Sequence, residues 1–266
     1  MKLGIITNNY TLENLNNIKN KNLEFVEFCI NYNENVPDSH TQFLSQITEI
    51  KNNLNSAKLE VGSVGRWGGF KILPNGKINS AELDIDKALI DAAKTLGSEI
   101  YVTGCNYISE HSLFDNYRDT IFYFHTLIAY AKEKDIKIAV YNCRWNNYIV
   151  CDPAWSAILS NIKDLYIKYD PSHCIYDDGD YLHEMAKWGS RIIHIHLKGS
   201  LTIDGKRYDD PPAGLDQTDW PKFFAVLYKL GYNRTLSIEP HSPTWKDELG
   251  DKGVQFTIDY MKKLIF

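Results

Sequence analysis

The feature that most constrains this chain is a repeated alternation. Short apolar runs recur along it, each followed by a segment of helical character. The strand candidates are Leu3–Ile6, Phe25–Cys29, Leu59–Val61, Ile100–Thr103, Ile136–Tyr141, Leu165–Asp170, Ile192–Leu197 and Leu236–Glu239. Eight runs in 266 residues give one unit per roughly 33 residues, the scale of a βα repeat. Strands alternating with helices argue for a parallel sheet. A closed (β/α)8 TIM barrel takes about 250 residues, so one domain over residues 1–266 accounts for the whole chain. A doubly wound open sheet is the structural alternative. No linker rich in Pro, Gly or Ser divides the sequence.

Helix ends are marked locally. Ser80 caps a helix running to Leu96, with Gly97 as its left-handed stop. Asp219 caps Trp220–Leu230, with Pro221 in the first turn and Gly231 at the end. Ser112–Lys134 and Asp247–Leu264 also have helical patterning. With 44% apolar and 24% charged residues the chain is a globular one, not a disordered one. Its 29 basic and 34 acidic residues give a net charge of −5, which argues against a nucleic-acid partner. No signal-peptide core or membrane-length apolar run is found, and the five cysteines have no CxxC spacing. The expected setting is the cytoplasm, with reduced thiols. Exposed barrel helices leave a homo-oligomer open.

Two connections are too long for simple βα loops. Residues 62–79 contain Asn75-Gly76 and residues 199–218 contain Asp204-Gly205. Both dipeptides favour two-residue hairpin turns. The two insertions follow strands three and seven, so in a barrel they lie at the C-terminal mouth, where active sites are built. They are expected to be lids carrying Arg66, Trp67 and Arg207.

Strand alternation then selects the inward side chains. In strand seven Ile193 and Ile195 are expected to face the helices, with His194 and His196 on the barrel axis. The same phase turns Asp170 and Glu239 inward. His196, Asp170 and Glu239 thus converge from three strand ends. One imidazole and two carboxylates form a ligand set for one divalent ion, Mn²⁺, Mg²⁺, Zn²⁺ or Co²⁺. Two carboxylates held close repel unless a cation or a shared proton lies between them. His194 is expected to be a satisfied polar group of an inner layer. Lys168 lies one layer below Asp170, where a buried ammonium needs a carboxylate partner. It offsets part of the charge of Asp170 or Glu239, which weakens the need for an ion.

These residues carry a family resemblance. Asp170-Pro-Ser-His173, His196-Leu-Lys198 and Ile238-Glu239-Pro240 resemble the xylose isomerase-like barrels. Phe25-Val-Glu27, Gly214–Trp220 and Leu230-Gly231-Tyr232 extend the match. The resemblance implies Asp170, His196 and Glu239 as metal ligands and His173 as a contact to substrate oxygen. It also implies a sugar isomerase or epimerase working through an enediolate, on a sugar, keto-sugar or sugar phosphate. Glu239 would be the base, and Tyr141 or Glu27 the second acid–base group. The chain departs from the family at strand five, where Tyr141 stands in place of the usual Glu and no acid replaces it before Val150.

Tyr141, Asn142, Arg144 and Trp145 are then expected as a substrate wall, with Arg66, Trp67, Arg207 and His241 nearby. Asn106 and Tyr107 lie after strand four. The loops after strands seven and eight hold Gly199-Ser200 and His241-Ser242 without a glycine-rich phosphate cradle. Loss of a β-hydroxyl would make the reaction a dehydration. A barrel that binds sugar without turnover is the other alternative. The endonuclease branch needs histidines after strands three and four, where Gly65-Arg-Trp-Gly68 and Gly104-Cys-Asn-Tyr107 offer none.

Overall fold

The computed structural model describes every residue except 34 and 36–38. Eight parallel strands close into a barrel: β1 (Lys2–Ile6), β2 (Phe25–Cys29), β3 (Glu60–Gly65), β4 (Ile100–Thr103), β5 (Lys137–Tyr141), β6 (Leu165–Tyr169), β7 (Ile192–Leu197) and, after a hairpin, β10 (Thr235–Ile238). The hairpin is β8 (Leu201–Ile203) and β9 (Lys206–Asp209). Each barrel strand pairs with its neighbours in order, and β10 closes on β1 with Leu3 opposite Leu236.

The helices are α1 (Leu12–Asn20), α2 (Ser39–Ser45), α3 (Ile47–Ala57), α4 (Ser80–Leu96), α5 (Leu113–Lys132), α6 (Ala154–Leu159), α7 (Pro171–Tyr176), α8 (Tyr181–Trp188), α9 (Trp220–Lys229) and α10 (Asp247–Lys262). Local chemistry sets their ends. Ser112 accepts from the Asp115 amide at the start of α5, and Asp219 accepts from the Lys222 amide at the start of α9. Asn79, not Ser80, precedes α4, and Gly97 ends it at φ 83°. Among the described residues no helix is long and apolar enough to cross a membrane.

The insertion after β7 is the expected hairpin, turning at Asp204-Gly205. The one after β3 is smaller. Strand β3 runs on to Gly65, and the Asn75-Gly76 turn closes a single antiparallel bridge between Ile72 and Ile78.

Most of the core lies between the barrel and its helices. A second, inner cluster joins Cys29, Trp67, Ile100, Val102, Ala139, Tyr141 and Ile193. Below it Phe25 fills the floor. A Cβ on Gly4 or Gly62 would stand 2.5 Å or 2.4 Å from its ring, so both neighbours must be glycine. One facing expectation is corrected here. Ile167 pairs with Ile192 and Lys168 with His194, so Ile193 is the extra residue of a bulge in β7. It packs in the inner cluster rather than towards the helices.

Candidate active site

The bulge leaves His194 and His196 both on the barrel axis, and both point at one carboxylate. Oε2 of Glu27 lies 3.0 Å from Nε2 of His194 and 2.8 Å from Nε2 of His196. His194 continues to the Thr235 hydroxyl at 2.6 Å, and Nδ1 of His196 to Oε2 of Glu239 at 2.9 Å. One hydrogen-bonded chain therefore crosses the barrel, from Thr235 at the start of β10 to Glu239 just past its end. Glu27, His194 and His196 are all fully or almost fully buried. Burial alone would raise the Glu27 carboxyl, but the two imidazoles hold it well below the usual range. Burial depresses His194. His196 is raised despite burial, because Glu27 and Glu239 face it.

The mouth is built from the next layer. Asp170 caps α7 through Oδ1, which accepts from the Ser172 amide at 2.9 Å. Its Oδ2 points inward, 3.3 Å from Nζ of Lys198 and 3.4 Å from Nε2 of His173. Lys198 Nζ also stands 3.9 Å from Oε2 of Glu239. Burial opposes ionisation of both acids, yet Lys198 keeps Asp170 and Glu239 below their ordinary values, with help from His173 and His196 respectively. Burial brings His173 down to about 4. Asp170 and Lys198 are sealed, whereas the Glu239 and His173 side chains keep 19% and 22% exposure, so these two form the accessible edge.

Trp67 closes the interior from the β3 side. Its ring stacks on Tyr141 at 5.3 Å and on His196 at 6.2 Å, and Nζ of Lys168 lies 5.7 Å from its centroid. Lys168 is buried inside the barrel as its alternation requires. Tyr141 is buried with its hydroxyl engaged twice: it donates to the Trp145 carbonyl at 2.8 Å and accepts from the Gly68 amide at 3.1 Å. Burial raises the phenol far above its ordinary value.

The other expected site residues go elsewhere. Arg66 is buried against α4, with Nε and Nη2 committed to Glu82 at 3.1 and 2.8 Å. Lys71 joins the same network through Glu82 and Asp86. Asn142 clips β5 to the end of β6, exchanging two hydrogen bonds with the Asp170 backbone. Arg144 pairs with Asp177 at the surface. Trp145 is 43% exposed beside Gly68. Arg207 and His241 both hold Asp210, His241 at 2.7 Å, and the Arg207 guanidinium covers the Tyr176 ring at 4.9 Å. Asn106 is buried, fixing the Ile72 backbone, while Tyr107 is exposed. Two residues were missing from the expected site. Lys198 is two positions after His196 on the same inward phase, so alternation alone could have found it. Asp210 had no such signal.

Among the described residues two sets of donors have the spacing to share a metal ion: the buried Glu27, His194 and His196, and the buried Asp170 and His196 with the partly exposed Glu239, each with ligand atoms within 4.8 Å of one another. Oδ2 of Asp170 accepts no hydrogen bond, as an ion ligand would not. The spacing therefore fits an ion, but the charge does not. Three carboxylates already face the ammoniums of Lys168 and Lys198 and an imidazole bonded to carboxylates through both nitrogens. Tyr141, which stands where the barrels this chain resembles usually carry a Glu, adds no donor, because its hydroxyl is turned to the backbone.

A closed eight-stranded parallel barrel with an acid–imidazole–lysine cluster at its mouth defines a TIM-barrel protein. The match of residues 15–264 to the xylose isomerase-like TIM barrel model shows that the chain belongs to that family. Among solved structures it resembles D-psicose 3-epimerase from Clostridium cellulolyticum H10, at TM-score 0.78 and 14% identity over 100% of this chain and 99% of that one. It also resembles 3-keto-D-glucoside 4-epimerase from E. coli, at TM-score 0.74 and 16% identity over 99% and 98%. Mannonate dehydratase from Streptococcus suis serotype 2 aligns at TM-score 0.78 and 14% identity over 99% and 93%. At these identities the likeness is one of fold. Among curated proteins none matches the sequence significantly.

Proposed function

We propose that this protein is a sugar or keto-sugar isomerase or epimerase that moves a proton on the carbon beside a carbonyl. The observation that carries the reading is the Glu239 carboxylate at the accessible edge, with the buried Lys198 ammonium 3.9 Å behind it. Glu239 is ionised and partly exposed, so it serves as the base that takes the C–H proton. The electron pair of that bond moves to the carbonyl oxygen, and a cation beside it stabilises the oxyanion. His173, the other exposed edge of the mouth, is held neutral by burial. It moves a proton between substrate oxygens, or returns one to carbon and is refilled by the proton that Glu239 has taken. Return to the neighbouring carbon gives an isomer, and return on the opposite face gives an epimer.

The activities of the similar structures, two sugar epimerases and a dehydratase, are consistent with this class of substrate. Tyr141 is a poor second acid, because its proton is donated to a backbone carbonyl. That same observation favours a second reading, a barrel that binds a sugar without turning it over. The substrate in either case is a small sugar or polyol.

The test is proton exchange. Untagged protein is incubated in D2O with ketoses, aldoses, keto-inositols and keto-glycosides, and the carbon beside the carbonyl is followed by NMR. Deuterium entering at least one sugar is the expected result. Calorimetric binding of a sugar with no exchange in any would replace the enzyme with the binding barrel.

A further inference from the structure

We infer that Lys198 supplies, as a fixed ammonium, the positive charge that a divalent ion supplies in a carboxylate–imidazole site of this kind, so that the mouth of this barrel works without a bound metal. The inference rests on the proton-transfer reading only for what the ammonium does. What it displaces follows from the geometry alone.

An ion shared by Asp170, His196 and Glu239 would draw on Oδ2 of Asp170, the oxygen left without a hydrogen bond. Lys198 Nζ already stands 3.3 Å from that oxygen and 3.9 Å from Oε2 of Glu239. Lys198 cannot easily withdraw. It is 2% exposed, and its strand lies between β6 and β10, which deliver the two acids. An ion bound here would be held within a few ångströms of a buried like charge, where the repulsion is poorly screened.

The wider balance points the same way. Glu27, Asp170 and Glu239 bring three negative charges. Lys168 and Lys198 bring two positive ones, and both ring nitrogens of His196 lie against carboxylates, 2.8 Å from Glu27 and 2.9 Å from Glu239. Both ring nitrogens of His196 are thereby engaged, whereas a metal ligand needs one free lone pair. The loss of the strand-five acid fits this balance. A further carboxylate at Tyr141 would add negative charge to the cluster and strengthen the demand for a cation. Instead Tyr141 is neutral, stacked on Trp67 and tied to the backbone.

In the reaction, the Lys198 ammonium, fixed behind Glu239, stabilises by its charge the oxyanion that forms as Glu239 takes the proton from carbon. The ammonium keeps its proton, the oxyanion collects the electron pair, and the proton on Glu239 returns to carbon directly, or refills His173 after His173 has protonated carbon, which restores both groups. No oxidant, reductant or further reactant is needed.

The test is metal binding, read without any substrate. Untagged protein is treated with EDTA, exchanged into chelator-free buffer and titrated with Mn²⁺, the free ion being followed by electron paramagnetic resonance. Wild-type protein is expected to leave the Mn²⁺ free at protein concentrations of about 100 μM, and to keep its melting temperature through the EDTA step. Lys198→Ser removes the ammonium and leaves the three donors, so it is expected to bind about one Mn²⁺ per chain at least about tenfold more tightly than wild type. Stoichiometric, micromolar Mn²⁺ binding by the wild type would overturn the inference, whether or not the variant folds. A folded Lys198→Ser protein, checked by circular dichroism, that binds Mn²⁺ no better than wild type would also count against it. Neither readout depends on finding the sugar, so failure of the isomerase reading and failure of this one are separable.

Discussion

Nε2 of His196 lies 2.8 Å from Oε2 of Glu27, a residue 169 positions earlier in the chain. This contact ties β2 to β7 across the barrel interior, since the two strands are not neighbours in the sheet. The same oxygen accepts from His194, so one carboxylate orients two imidazoles. His196 in turn orients Glu239. Glu27 is therefore a positioning residue two hydrogen bonds away from the proposed base, and its other oxygen is buried without a partner.

Removing the Glu27 charge leaves the two imidazoles facing an amide. Glu27→Gln is expected to lower stability by about 3–5 kcal/mol, the cost of breaking a buried charge pair from one side. Urea unfolding measures it. A loss below about 1 kcal/mol would mean that the histidine pair does not rely on this carboxylate.

Glu239→Gln tests the base directly. The amide keeps the size of the side chain and can still meet His196, but it gives up the charge that faces Lys198, so some stability is lost and folding is checked by circular dichroism. Proton exchange on the substrate identified by NMR should fall by about 10²–10⁴-fold, the usual weight of a positioned acid or base. Full turnover by this variant would remove Glu239 from its role.

The barrel and the centre of the site were legible in the sequence for one reason: alternation is a strict rule within a regular strand. It placed Lys168, Asp170, His196 and Glu239 on the axis, and the structure brings them together there. The rule failed at Ile193, because a bulge breaks the period and nothing in Ile192–Leu197 announces it. Residues on connections were read less well. Arg66 and Trp67 are adjacent, yet one turns out to Glu82 and the other folds in over Gly65, where a Cβ would stand 2.2 Å from the indole. That choice depends on α4 presenting Glu82 and on the missing side chain at position 65, which are tertiary facts. Asn142 looked like a sugar contact but satisfies the backbone at Asp170, a task any bend after a strand can demand.

Tyr141 separates structure from chemistry. Tyr141→Phe loses the hydrogen bonds to Gly68 and Trp145 but keeps the stack on Trp67. The expected result is a loss of about 1–3 kcal/mol of stability, because a buried amide and a carbonyl lose their partner. Any exchange activity should stay within a few-fold of wild type. A drop of 10²-fold or more, with the fold intact, would return the phenol to the acid–base machinery.

The pH dependence of stability follows from the directions of the shifts. Glu27, Asp170 and Glu239 lie below their ordinary values in the folded protein, so the stability they contribute is present above about pH 4 and lost as the pH falls below it. His196 is raised, so its contribution is present below about pH 6.5 and lost as the pH rises through its folded value. His173 acts in the opposite sense. Buried neutral and brought down to about 4, it makes the unfolded chain bind one more proton than the folded one between about pH 6.5 and 4. Stability should therefore fall with acidification across that window, and His173→Asn should remove one proton's worth of the slope. Melting temperatures at half-unit pH steps measure both. An unchanged slope in the variant would show that His173 is free to protonate in the folded protein, and that burial does not hold it neutral at the mouth.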